Sequence, residues 1–549
     1  MSLPNYFNLK SLNGKNGFTI EGMAYNNPIG KSVNGAGDMN GDEFDDLIIG
    51  NYEANSRGGA SYIIYGSKEG FPANFQPSIL NGTNGFTINR ITDKNGFFGY
   101  SVSSAGDING DGYDDVIIGA HSWWRTPGEH VSKSYVVFGS KSALSADFNG
   151  KNGFVIQGNV QALGYSVSSA GDINGDGYDD LIIGAPYTNS NAGAAYVILG
   201  SKEPFPAIFE VSTLNGVNGF IINGVKGKDI CLGLTVAKAG DINGDGYSDV
   251  IMGTGFNAGA AYVVFGNKSP FPVSLHSSDL DGNNGFAIVG AKKQGTIGNS
   301  VSSLGDFNGD GIDDLVTNEL FSNGNDYRIG NIYVLFGSRS PFSPSFDIAD
   351  VNGNNGFAIK SEVYGDPRCI GNQVSGLGDI NGDGLGDLII GNTLMSNFGS
   401  VNILYGSGKA FPASIGCNYF NGVRGITIEG IRKSGYLGGS VGYAGDVDGN
   451  GVNDIIIGAP NYEMNYDYSG SVFVVLSDNA NRLPSSGFPL ASPSEIPSSV
   501  IASPTPLFQN TEILPSNSPD LGYGSSSTLE PNYILSYVMQ GWGILNDVI

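Results

Sequence analysis

A nine-residue phrase of the form Asp-x-Asn-Gly-Asp-Gly-x-x-Asp, trailed by an apolar run, recurs seven times with small variations. Its copies begin at Asp38, Asp107, Asp172, Asp241, Asp306, Asp379 and Asp446, at intervals of 65 to 73 residues. Three further phrases keep step with it. An apolar-Gly pair precedes each copy, as at Phe98-Gly99 and Leu163-Gly164; a run such as GAAYVILGS at 193–201 follows; and an NGFxI segment, as at Gly17 to Ile20 and Gly153 to Ile156, completes the set. A period shared by four phrases belongs to a whole structural unit, and such periods mark repeat architectures.

Each phrase is short, rich in Val, Ile, Tyr and Phe, and bounded by Gly, Asn or Asp, which predicts a strand. The 86 glycines in 549 residues supply the turns. Four strands in each of seven units make an all-β chain of 28 strands. Repeated four-stranded sheets can stack radially as a propeller, which leaves only short edges, or linearly as a solenoid. The NGFxI-type segment separates the two. It occurs near 17, 85, 153, 219, 285 and 356 and, as RGITI, at 424, but not after the last strand phrase, GSVFVVLSD at 470–478. One copy is therefore displaced to the N-terminus, as a ring requires and a solenoid does not. The expected fold over 1–480 is a seven-bladed β-propeller of four-stranded antiparallel blades, closed by the N-terminal strand, with Phe18 to Ile20 beside Val472 to Val475.

Beyond 480 the pattern stops. Residues 481–531 are rich in Pro and Ser and read as a linker. The final 532–549 is apolar but interrupted by Gln540, Gly541, Gly543, Asn546 and Asp547, and no run of about 20 apolar residues appears anywhere. Neither a secretory h-region nor a membrane span is expected. Cys231, Cys369 and Cys417 show no Cys-x-x-Cys spacing and are expected as free core thiols.

Acidic residues outnumber basic ones by 52 to 27, for a formal charge of -25. That balance argues against nucleic acid as a partner, because phosphate binding needs clustered Lys and Arg. The acid is concentrated in the repeated phrase. Oxygen donors at alternate positions of a tight loop suit Ca²⁺, a hard ion that takes about six to eight oxygens. Positions 1, 3, 5 and 9 supply side chains and position 7 its carbonyl. Unit one offers Asp38, Asn40, Asp42, Phe44 and Asp46; unit two Asp107, Asn109, Asp111, Tyr113 and Asp115. Unit three offers Asp172, Asn174, Asp176, Tyr178 and Asp180; unit four Asp241, Asn243, Asp245, Tyr247 and Asp249. Unit five offers Asp306, Asn308, Asp310, Ile312 and Asp314; unit six Asp379, Asn381, Asp383, Leu385 and Asp387; unit seven Asp446, Asp448, Asn450, Val452 and Asp454. An EF-hand would need Glu at position 12, where unit two has Ile118 in a β-type run. Seven Ca²⁺ would take the formal charge from -25 to about -11. Unit one carries Glu43 where the other loops have Gly, so its loop is expected to be strained and its site weak. Unit seven moves a carboxylate from position 5 to position 3 and is expected to bind.

The apolar-Gly run, the acidic loop and the Gly-Ala-Pro after the second strand, as at Gly184 to Pro186 and Gly458 to Pro460, resemble FG-GAP repeats. Over roughly 1–480 the chain is similar to the seven-bladed propeller of integrin α subunits and to bacterial FG-GAP proteins. The resemblance implies Ca²⁺ loops on one face and ligand contacts on the opposite face, made by loops after the second and fourth strands. It also implies a protein or cell-surface ligand, a second subunit docking on the ring, and an extracellular or cell-surface location. The least repetitive of those loops hold Trp123, Trp124 and Arg125 with His121 and His130 in unit two, and Tyr462, Tyr466 and Tyr468 in unit seven. Aromatic and Arg side chains of this kind dominate protein interfaces.

No enzyme is expected. His121, His130 and His276 are the only histidines. Gly438 to Gly442 matches the Gly-x-Ser-x-Gly elbow, but the repeat itself dictates Ser-Val there. A related propeller accompanies the catalytic domain of the glycosylphosphatidylinositol-specific phospholipases D. A non-catalytic propeller accessory to a lipid- or glycan-acting hydrolase is thus the alternative to adhesion.

Overall fold

A computed structural model describes residues 6–22, 28–89, 96–121, 132–142, 147–255, 258–268, 270–290, 295–322, 327–360, 371–393, 398–431, 435–460, 463–464 and 467–477. All lie in one compact unit, Met1–Gly487. The proposed linker 481–531 and the segment 532–549 lie outside the described residues.

The described residues are almost entirely strands and turns. In unit two, Ser101–Gly106, Asp115–Ala120, Lys133–Val137 and Gly153–Gln157 pair in that order as an antiparallel sheet. Unit one repeats the order with Ser32–Gly37, Asp46–Asn51, Ala60–Ile64 and Gly85–Asn89. Every residue of the second strands Asp46–Asn51, Asp115–Ala120 and Asp180–Ala185 is buried. Both faces of these strands meet neighbouring sheets, which is why LIIG and VIIG read as continuous apolar runs and not as alternating ones. Apolar clusters join sheets that follow one another in the chain. One packs Ile117 and Phe154 of unit two on Leu181 and Tyr196 of unit three. Another packs Phe18, Ile20, Val472 and Val474 on Leu47, Ile49 and Tyr62, so it draws on both ends of the repeat region.

Four strands is the count among the described residues in unit one, but an undercount in the other units. A short fifth strand from the following unit adds in parallel to the outer strand: Ile208–Glu210 on Gly153–Gln157, Ser274–His276 on Gly219–Asn223, and Ser345–Asp347 on Gly285–Val289. Just before each of these, a Phe stacks on the Phe of the NGF segment it covers. Ring centroids are 4.5 Å apart for Phe154 and Phe205, 4.3 Å for Phe220 and Phe271, and 4.5 Å for Phe286 and Phe342.

The N-terminus serves two units. Tyr6–Phe7 is the parallel fifth strand on Gly425–Glu429 of unit six. Gly17–Glu21 pairs antiparallel with Ser471–Val475 of unit seven, placing Phe18 opposite Val474 and Ile20 opposite Val472. The pairing expected of Phe18 to Ile20 is present. Cysteine usage differs from expectation: Cys231 is a free buried thiol, but Cys417 is disulfide-bonded. Sequence spacing carries no information on that bond, because bridging depends on the separation of Cβ atoms in space.

Candidate metal centres

Outside unit six, each acidic loop begins where a first strand ends in a bulge, as between Ser104 and Gly106, and ends where the ninth-position Asp enters the second strand. Loop two shows the construction. Asp107 Oδ1 accepts the N–H groups of Gly110 at 2.7 Å and Asp111 at 3.1 Å, and its Oδ2 that of Gly112 at 2.9 Å. Asn109 Oδ1 accepts Asp111 N–H at 2.9 Å, and Asp111 Oδ1 accepts Tyr113 N–H at 3.1 Å. These bonds wind the backbone around the alternating oxygens, and they recur in loop three at Asp172, Asn174 and Asp176.

The ninth-position carboxylates are set deeper. Asp46, Asp115, Asp180, Asp249, Asp314, Asp387 and Asp454 are all fully buried. Each accepts two backbone N–H groups, for Asp115 those of Ile108 at 3.1 Å and Gly139 at 2.8 Å, and Asp314 accepts a third, from Asn308. Two or three donors do not compensate the loss of water. Burial, with the neighbouring loop carboxylates adding repulsion, pushes Asp46, Asp180, Asp249, Asp314 and Asp454 up to about 8, and Asp115 and Asp387 well above the ordinary carboxylate range. Such a group takes a proton or meets a cation.

The donor set fits a hard cation: it is all oxygen, mixes carboxylates with amide and backbone carbonyls, and lacks Cys and His. In unit seven, oxygens of Asp446, Asp448 and Asp454 lie within 4.8 Å of one another. Among the described residues this is the only such cluster of three carboxylates.

Glu43 adopts φ 74°, in the left-handed region occupied at the same position by Gly112 at 88° and Gly177 at 91°. A Cβ at Gly112 would meet nothing, so the demand for Gly there is conformational and not steric. Glu43→Gly is expected to stabilise the chain by about 1 kcal/mol, read from denaturant midpoints at constant m.

Trp123, Trp124, Arg125, Tyr462 and Tyr466 lie outside the described residues, as does His130. Tyr468 sits on a two-residue strand, Asp467–Tyr468, paired with Glu463–Met464. His121 is not a surface loop residue. It is buried among Phe97, Tyr100 and Tyr165, with centroids 5.8, 4.1 and 5.0 Å away, and burial pulls its imidazole down to about 3. Ser440 of the Gly-x-Ser-x-Gly match is buried and donates to the Gly30 carbonyl at 3.1 Å. Equivalent serines brace other junctions, Ser32 Oγ accepting Val102 N–H at 2.9 Å and Ser101 Oγ accepting Val167 N–H at 3.1 Å. Its place in the repeat is structural.

Sequence reasoning missed the eighth position. Asp45, Asp114, Asp179 and Asp313 precede the ninth-position carboxylate and reach the adjoining unit, accepting the N–H of Asp446, Asp38, Asp107 and Asp241. The Asp-Asp doublets at 45–46, 114–115, 179–180 and 313–314 were the available signal.

The FG-GAP repeat model matches residues 98–123, 163–198, 232–264 and 298–335, which fall in units two to five. Those four stretches are FG-GAP repeats. It is similar to integrin α subunits: 30% identical over 248 residues to integrin alpha pat-2 of Caenorhabditis elegans, covering 42% of this chain and 18% of that protein. To human integrin alpha-6 it is 32% identical over 151 residues, covering 27% of this chain and 12% of the relative. It is also 30% identical over 229 residues to phosphatidylinositol-glycan-specific phospholipase D of Dictyostelium discoideum, covering 37% and 23%. The matched region spans less than a quarter of each of these relatives.

Proposed function

We propose that the chain is a closed seven-bladed β-propeller whose loops bind Ca²⁺ and whose opposite face recognises a protein or cell-surface ligand. The cation reading rests on one observation: seven loops of the same oxygen pattern each bury a ninth-position carboxylate that needs a compensating charge. Ring closure is supported by the pairing of Gly17–Glu21 with Ser471–Val475 and by the bonds from Ser440 to Gly30 and from Asp446 to Asp45. The similarity to integrin α subunits supports adhesion or recognition, a second subunit as partner, and a place outside the cell. The Cys417 disulfide agrees with an oxidising compartment. No helix among the described residues is long and apolar enough to cross a membrane.

Calorimetric titration of the full chain with CaCl₂ tests this. Six or seven sites near 10⁻⁴ to 10⁻³ M, the range of extracellular modules, are expected. Sites tighter than about 10⁻⁶ M would favour an intracellular scaffold, and no uptake would refute the cation reading. Trp123, Trp124, Arg125, Tyr462, Tyr466 and Tyr468 are the proposed ligand contacts. The similarity to a phospholipase D favours a second reading, a non-catalytic propeller beside a hydrolase. Saturable, chelator-sensitive binding to cells supports the first reading over the second.

A further inference from the structure

Adjacent acidic loops touch through paired bonds. Asp38 N–H donates to Asp114 Oδ2 at 2.9 Å while Asp114 N–H donates to the Asp38 carbonyl at 3.1 Å. The same exchange links Asp107 with Asp179 at 3.2 and 3.3 Å, Asp241 with Asp313 at 2.8 and 3.3 Å, and Asp446 with Asp45 at 2.7 and 3.2 Å. At two other junctions only the backbone half is present among the described residues: Ser248 N–H to Asp172 at 3.0 Å and Gly386 N–H to Asp306 at 2.9 Å. At the junction of units six and seven the eighth residue is Asn453, whose carboxamide oxygen instead accepts the Tyr443 hydroxyl at 3.3 Å.

The glycine that ends the first strand is shaped to this contact. A Cβ on Gly37, Gly106, Gly240 or Gly445 would fall 2.1 to 2.4 Å from the nearest side-chain atom of Asp114, Asp179, Asp313 or Asp45 respectively. All four have positive φ, so conformation and space both exclude a side chain.

We propose that the eighth-position carboxylates are positioning residues that couple cation binding between neighbouring units. They would join loops seven, one, two and three into one run and loops four and five into another. This rests on the cation reading above. Asp114 is one residue from Asp115, the buried ninth ligand of loop two, and it holds the backbone of Asp38, the first ligand of loop one. An ion that fixes Asp115 therefore fixes part of the neighbouring site, and by linkage an ion in loop one does the same for loop two. A backbone N–H held by a carboxylate is a stronger restraint than one held by a neutral acceptor. Loop one, strained at Glu43, is clamped on both sides, by Asp114 and through Asp45 to unit seven.

The test compares the full-length wild type with Asp114→Ser, which installs the residue unit four carries, and with Ser248→Asp, which adds the acceptor missing between units three and four. Each is titrated with CaCl₂ by calorimetry and melted in EDTA and in CaCl₂. Asp114→Ser is expected to weaken one or two sites by about 5-fold or more and to shrink the Ca²⁺-dependent rise in Tm, and Ser248→Asp to tighten site three by a similar factor. A wild type that takes up no Ca²⁺ sinks the cation reading itself. If the wild type binds but both variants keep its affinities, with Tm displaced equally in EDTA and Ca²⁺, the coupling is overturned and the cation reading stands. Should Asp114→Ser not fold, Ser248→Asp decides alone.

Discussion

Deleting residues 1–22 is expected to abolish cooperative folding of the repeat region at 25 °C. The deletion removes the outer strand of unit seven, Gly17–Glu21, and the fifth strand of unit six, Tyr6–Phe7. Leu9, Phe18 and Ile20 leave with it, all at 2% exposure or less. Phe18 also stacks on Phe71 with centroids 4.2 Å apart. Truncating a buried Phe, Leu or Ile to Ala costs about 2–5 kcal/mol each, so losing three whole residues rivals the 5–15 kcal/mol that typically stabilises a native protein. Ser471–Val475 would in addition be left as a bare apolar edge, inviting aggregation. Circular dichroism melts of the truncated and full chains measure the effect. A Tm unchanged by the deletion would mean that the N-terminal strand closes nothing.

The second large effect is an inverted pH dependence without cations. Asp46, Asp180, Asp249, Asp314 and Asp454 are pushed from 3.8 to about 8 by burial, so between those values the native chain holds protons that the unfolded chain has released. Unfolding then releases protons, and stability falls as pH rises through that window. His121, pulled from 6.5 to about 3, works in the opposite sense below pH 6.5, but it is one group against these five and the still further raised Asp115 and Asp387. In EDTA the Tm at pH 5 is expected to exceed that at pH 8 by about 10 °C or more. Ca²⁺ demands the ionised carboxylates, so its stabilisation is expected to grow towards pH 8, each site adding about 2.7 kcal/mol at 100 times its Kd. Scanning fluorimetry at both pH values, with EDTA and with CaCl₂, reads all four corners. An EDTA-treated protein more stable at pH 8 than at pH 5 would show that the ninth-position carboxylates stay ionised with no ion beside them.

The acidic loops were legible because they are built from neighbours. Asp107 holds the N–H groups of residues three, four and five positions ahead, and Asp115 that of a residue seven positions back, so a nine-residue phrase contains most of its own partners. The strain at Glu43 was legible for the same reason: a single residue type at one loop position fixes which φ is affordable. The loops proposed as ligand contacts were the least legible part, because they depart from the repeat that gave every other phrase its meaning.

By itself, then, the sequence determined the phase of the repeat, the oxygen pattern of each loop and the displaced NGF strand, since these rest on local spacing and on a strand missing from one end. Only the tertiary structure decided how the units hold each other. The fifth strands, the Phe stacks, the Cys417 bridge and the eighth-position carboxylates join residues far apart in the chain, 76 positions for Asp38 and Asp114 and 401 for Asp45 and Asp446. No local preference encodes such a pair. It exists because packed sheets place one loop against the next, and the same packing strips water from the ninth-position carboxylates and sets their charge.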